Sequence, residues 1–133
     1  MNRYYADDAK TVINVTLLSD DAEAMAKKLV RKDDKGGVDG KNSISSSQLR
    51  RFYGEFKGLQ RKIASGRGFE PVLPLVKMVK SKVAYASSKV PGAFQKWLTE
   101  HVEAISDEQD FQAFMLHFEA VVGFCYGLGL RNN

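Results

Sequence analysis

The chain has 133 residues, 44% hydrophobic and 27% charged, with a net charge of +4. That is long enough to bury a core without disulfides or metal, and the single cysteine, Cys125, excludes an internal disulfide and points to a reducing, cytoplasmic setting. No charged-then-apolar leader opens the chain and no apolar run reaches the roughly 20 residues of a membrane span, so neither export nor membrane insertion is expected.

In chain order, the stretch TVINVTLL at 11–18 alternates briefly and is rich in β-branched residues, which leaves a short strand and an irregular arm both open. Ser19 is placed to cap a first helix with Asp20, Asp21 and Glu23 in its opening turn. Lys27, Lys28, Arg31 and Lys32 lie toward its end, as the helix dipole favours. The polar, glycine-rich DDKGGVDGKNSISS reads as a flexible loop. A second helix is expected from Ser46 to Ser65, ended by SGRG, with Leu49, Phe52, Phe56, Leu59 and Ile63 as its core face.

A third helix follows Pro71 and Pro74 and ends before Pro91; Val72, Val76, Val79, Val83, Ala86 and Val90 form its apolar stripe. A fourth, from Gly92 to Ile105, buries Phe94, Trp97, Leu98, Val102 and Ile105. SDEQ at 106–109 reads as a capping box, Ser106 with Gln109, opening a last helix faced by Phe111, Phe114, Met115, Phe118, Val121, Val122 and Cys125. The expected fold is all-α, a compact bundle of about five helices. Residues 1–45 hold an N-terminal arm of open structure, the first helix and the loop, and residues 46–133 a helical core, within a single domain.

Charge is distributed unevenly. Residues 1–46 carry eight basic and eight acidic side chains, residues 47–90 ten against two, and residues 91–133 two against six. At about 100° per residue, Arg50, Lys57 and Arg61 fall on one line of the second helix with Tyr53 at its border. Lys82, Tyr85 and Lys89 repeat at i, i+3 and i+7 along the third. Two basic lines on successive antiparallel helices suit a phosphate backbone, with a tyrosine to stack on a base; the plain rival is a solvated, solubilising face. Arg51 and Lys62 point elsewhere on their helix, toward solvent or a second partner.

Nothing assembles into a catalytic centre. His101 and His117 have no metal-ligand spacing, His117 and Glu119 face different ways, and Cys125 falls on an apolar face. GRG at 66–68 and GLGL at 127–130 lack the following helix of a phosphate-cradling loop. No catalytic residue, cofactor or metal is expected.

The segments SSQLRRFYGEF at 46–56, LPLVKMVKSKVAYASSK at 73–89 and FQAFMLHFEAVVGFCYG at 111–127, in that order, resemble the small subunit of the type III-A CRISPR effector, the Csm interference complex. The shared pattern is S-x-[LI]-R-x-[FY] opening one helix, a lysine followed by [LV]-A-Y-A in the next, and a closing aromatic helix with F-x-x-F. The resemblance implies a non-catalytic helical subunit of antiviral defence, copies of which stack as a filament. It would lie beside the backbone ribonuclease subunits and the large polymerase-type subunit, holding target RNA paired to guide RNA. Carried over by position, the RNA-binding residues are Arg50, Lys82, Tyr85 and Lys89, the last where many relatives have arginine, whose two-pronged grip on phosphate lysine lacks. Arg51, Lys57 and Arg61 join them from the stripe argument. The acidic C-terminal segment, with Glu100 and Glu103, is then expected to face neighbouring copies. The rivals are a structural adaptor without RNA contact, a small DNA-binding regulator and, last, an enzyme.

Overall fold

The computed structural model describes residues 3–131, which form five α-helices and no strand among the described residues. They are α1 (Asp20–Leu29), α2 (Ser46–Lys62), α3 (Leu73–Tyr85), α4 (Gly92–Ala104) and α5 (Glu108–Gly127). Helix α1 packs mainly on α5, α3 on α4, and α2 bridges α5 and α3. The all-α bundle expected from periodicity is what forms, because each apolar stripe finds another to bury against. Every stripe residue named for α2, α3 and α4 is buried, and on α5 only Val122 is half-exposed. Aromatic rings fill the centre: Phe56 meets Phe114 edge-on at 4.9 Å between centroids, and Trp97 meets Phe118 at 5.0 Å. Cys125 is fully buried, and burial pushes its thiol up to about 12, the behaviour of a small hydrophobe.

Helix ends differ from the sequence reading in instructive ways. The Ser19 hydroxyl donates back to the Val15 carbonyl at 2.8 Å instead of capping α1, because a 3-10 turn, Val15–Leu18, runs straight into the helix. At α5 the cap is Asp107, which accepts from the Asp110 amide at 2.8 Å, and not Ser106 with Gln109. Ser106 donates its amide and hydroxyl to Asp110, which serves the box that Gln109 was expected to close. Helix α2 continues past Lys62 into a π turn, Ile63–Arg67, that is left at Gly66, whose φ of 101° a side chain would resist. Helix α3 ends before Pro91, as expected, and does so at Tyr85, six residues short of it. Ser87 and Ser88 are weak helix formers, Pro91 forces Val90 into extended backbone, and a 3-10 turn, Ser87–Lys89, carries Val90 into the core instead.

The first 45 residues are more closely built than expected. The 11–18 stretch is an arm, with one bridge between Tyr5 and Ile13 in place of a strand. It is fastened to the far end of the chain: the Tyr5 hydroxyl donates to the Gln109 carbonyl at 2.7 Å, and Lys10 pairs with both Asp107 and Asp110. The glycine-rich loop after α1 is not a loose tether. Asp33 accepts from the amides of Lys35 and Gly37, Asp39 from those of Lys41 and Asn42, and Ile44 is buried with its amide on the Leu29 carbonyl.

Candidate nucleic-acid interface

Helix α2 presents the larger cationic surface. Its core face turns Arg50 and Arg61 out to solvent, neither with a hydrogen bond or ion pair among the described residues. Lys57 is half-buried and donates to Gln60 Oε1 at 3.0 Å, while Gln60 reaches across to Gln112 on α5 at 2.8 Å. Tyr53 lies edge-on to Phe118 at 5.2 Å between ring centroids, so it belongs to the α2–α5 seam. Burial, then the Glu119 carboxylate, raises its phenol above the ordinary range.

The α3 lysines behave differently, and the reason is nonlocal. Lys82 grips both oxygens of Glu55 on α2, at 3.1 and 3.2 Å. Lys80 pairs with Glu103 on α4 at 3.2 Å. Lys77 donates to the carbonyls of Val102 and Ile105 at 2.7 Å each, supplying the donors that the C-terminal end of α4 lacks. Burial in that seam lowers the Lys77 ammonium from its usual range. Three of the ten cations of the basic middle therefore hold helices together. Tyr85 stands at the end of α3 with 88% of its surface exposed, and Lys89 is exposed on the 3-10 turn beyond the helix break.

The basic lines therefore do not lie side by side as drawn from the sequence. Glu55 lies roughly 140° around α2 from Arg50, so Lys82 flanks the helix on the side away from the Arg50, Lys57 and Arg61 line. The cations beside the Lys82–Glu55 pair are Arg51 and Lys62, which share a shallow groove with Glu55, Gly54 and Gly58. The Arg51 guanidinium also sits 5.2 Å over the Phe52 ring centre. Lys62 is the residue that sequence reasoning set aside. Its signal was present in the spacing of 51, 55, 58 and 62, one flank of a helix. A side chain at Gly54 would meet nothing within 4 Å and one at Gly58 only the Arg61 guanidinium, so bare backbone separates the two cationic rows.

His117 serves packing. His117 bonds to the Leu17 carbonyl through Nδ1 at 2.6 Å and accepts the Trp97 indole N–H at Nε2 at 3.1 Å. Of the acids expected to face neighbours, Glu103 is paired to Lys80, and Glu100 lies 3.8 Å from Arg3. No helix of the described residues is long and apolar enough to cross a membrane.

Comparison with known proteins gives one match. No curated protein and no solved structure matches the chain. A family model described as Csm2 Type III-A matches residues 15–126, from the 3-10 turn before α1 to the last turn of α5. A match over that span takes in the whole helical bundle, and the chain belongs to the Csm2 Type III-A family, the small subunit of type III-A CRISPR effector complexes.

Proposed function

We propose that this chain is a non-catalytic, RNA-binding subunit whose copies stack as a filament and hold target RNA paired to guide RNA in antiviral defence. The carrying observation is α2, whose outer surface offers Arg50, Arg51, Arg61 and Lys62 with no ion pair to a carboxylate among the described residues. Cations free of ion pairs bind a phosphate backbone without sequence preference and release counterions as they do so. Lys57 extends that row, while Lys89 and Tyr85 add a second cation and a stacking surface past the end of α3. Lys82 takes part by exchanging Glu55 for phosphate. His117 and Cys125, the groups best suited to chemistry, are held in the core.

A second reading is a structural adaptor without RNA contact. It draws on Lys77, Lys80 and Lys82, which are all engaged within the protein. The experiment that separates the two measures single-stranded RNA binding against salt for Arg50→Ala with Arg61→Ala. The RNA-binding reading expects weaker affinity and a salt slope shallower by about 2, one unit for each lost cation, with unchanged helical circular dichroism. An unchanged slope, with assembly into the complex intact, establishes the adaptor instead.

A further inference from the structure

A cleft of about 370 Å³ opens between α1, α4 and the N-terminal arm, and neither α2 nor α3 contributes to its wall. Its floor is Trp97, His101 and His117. The two imidazoles lie 5.0 Å apart between centroids and differ in their hydrogen bonding. His117 has both ring nitrogens bonded. His101, only 1% exposed, bonds through Nδ1 to the Tyr4 hydroxyl at 2.8 Å, and its Nε2 has no partner among the described residues. Gln48 Oε1 is the only fully enclosed side-chain polar atom described as lacking a partner, so His101 Nε2 opens onto the cleft that its ring lines.

The mouth of the cleft is set with charge from three elements. Lys28 of α1 and Lys96 of α4 have no ion pair or hydrogen bond among the described residues. Cations outnumber acids there: Glu100 lies 3.8 Å from Arg3, and Asp21, which accepts the Thr16 hydroxyl at 3.1 Å, keeps its charge against Lys28 and Lys96. Met25 and Trp97, both buried, supply apolar lining, and the Trp97 ring lies 5.4 Å from the His101 ring between centroids. An unoccupied pair of ammonium groups outside, an apolar wall within and one unmet polar nitrogen at the bottom suit a ligand that is anionic at one end.

We propose that this cleft binds a small organic phosphate. The phosphate lies between Lys28 and Lys96, the organic part packs on Met25 and Trp97, and a polar atom of that part bonds to His101 Nε2. The site is separate from the α2 surface and does not depend on RNA binding there.

The test titrates the full chain, isotopically labelled, with adenosine 5′-monophosphate, ribose 5-phosphate and inorganic phosphate in turn, following the His101 imidazole by NMR. A saturable His101 shift with either organic phosphate is expected. It should weaken about tenfold or more in Lys28→Ala with Lys96→Ala, whose exposed side chains leave the fold intact, and persist in Arg50→Ala with Arg61→Ala. A sugar phosphate matching the nucleotide places recognition in the ribose, and a stronger nucleotide places it in the base. Inorganic phosphate binding as tightly as both overturns the organic part of the proposal. No saturable shift at millimolar concentrations of any probe, or a shift lost only with the α2 variants, overturns the site.

Discussion

His117 and the Leu17 carbonyl, a hundred residues apart in sequence, meet at 2.6 Å in the interior. The contact fixes the 3-10 turn before α1 against α5, and it holds His117 with its Nδ1 proton directed at that carbonyl, since Nε2 is already accepting from Trp97. His117→Phe keeps a flat, somewhat larger ring and removes both bonds, leaving the Trp97 N–H and the Leu17 carbonyl unpaired in the core. A loss of about 2–4 kcal/mol is expected, read as a lower urea midpoint with an unchanged m-value.

The same pair of histidines sets an acid limit. Burial, then the nearby Arg3 charge, holds His101 well below its ordinary 6.5; burial chiefly lowers His117, against the opposing pull of its Leu17 bond. Below about pH 6.5 the unfolded chain takes up protons that the fold resists, so this contribution is complete above that pH and lost as pH falls toward the folded values. Stability should decline by up to about 1.4 kcal/mol per pH unit for each histidine. Urea midpoints between pH 7.5 and 5 check it: the decline should shrink in His117→Phe, and a flat profile in the parent chain would contradict it.

Glu55 restrains Lys82 on the outer surface. Both side chains are about one-third exposed, so the pair contributes at most about 1 kcal/mol to stability. Glu55→Gln should therefore leave the melting temperature within a few degrees while freeing Lys82. If the chain binds RNA as proposed, affinity at low salt rises and the salt slope steepens by about 1. Salt-dependent fluorescence anisotropy measures both.

Lys77 is a long-range cap. Lys77→Met retains the side-chain stem and removes the ammonium from the carbonyls of Val102 and Ile105. Loss of about 1–2 kcal/mol is expected, with amide exchange rising at the C-terminal turn of α4 before the rest of the helix.

Asp107→Ala removes the acceptor for the Asp110 amide and one of the two carboxylates around Lys10. A cost of about 1–2 kcal/mol is expected, and Asp107→Asn, which keeps the cap without the charge, should recover most of it. Differential scanning calorimetry of the two variants separates cap from ion pair.

The helices and their inward faces were readable because burial repeats along the chain. Val72, Val76, Val79 and Val83 keep the spacing of an α-helix whatever surrounds them. The surface was read less well because its charges answer to distant partners. Nothing near Lys82 in the sequence announces Glu55, and nothing near Ser106 shows that Lys10 will sit over Asp107 and favour it as the cap. For the same reason the arm's fastening by Tyr4, Tyr5 and Lys10 could not be seen, whereas Lys62 could have been, from its place on the flank shared with Arg51.

That fastening has a mechanical consequence. Tension applied at the beginning of the chain would not peel α1 away first, because Tyr4 ties the arm to α4 through His101, and Tyr5 and Lys10 tie it to the opening turn of α5. The load would pass directly into the aromatic centre. The bundle should therefore yield in one abrupt event, not unravel from its leading end.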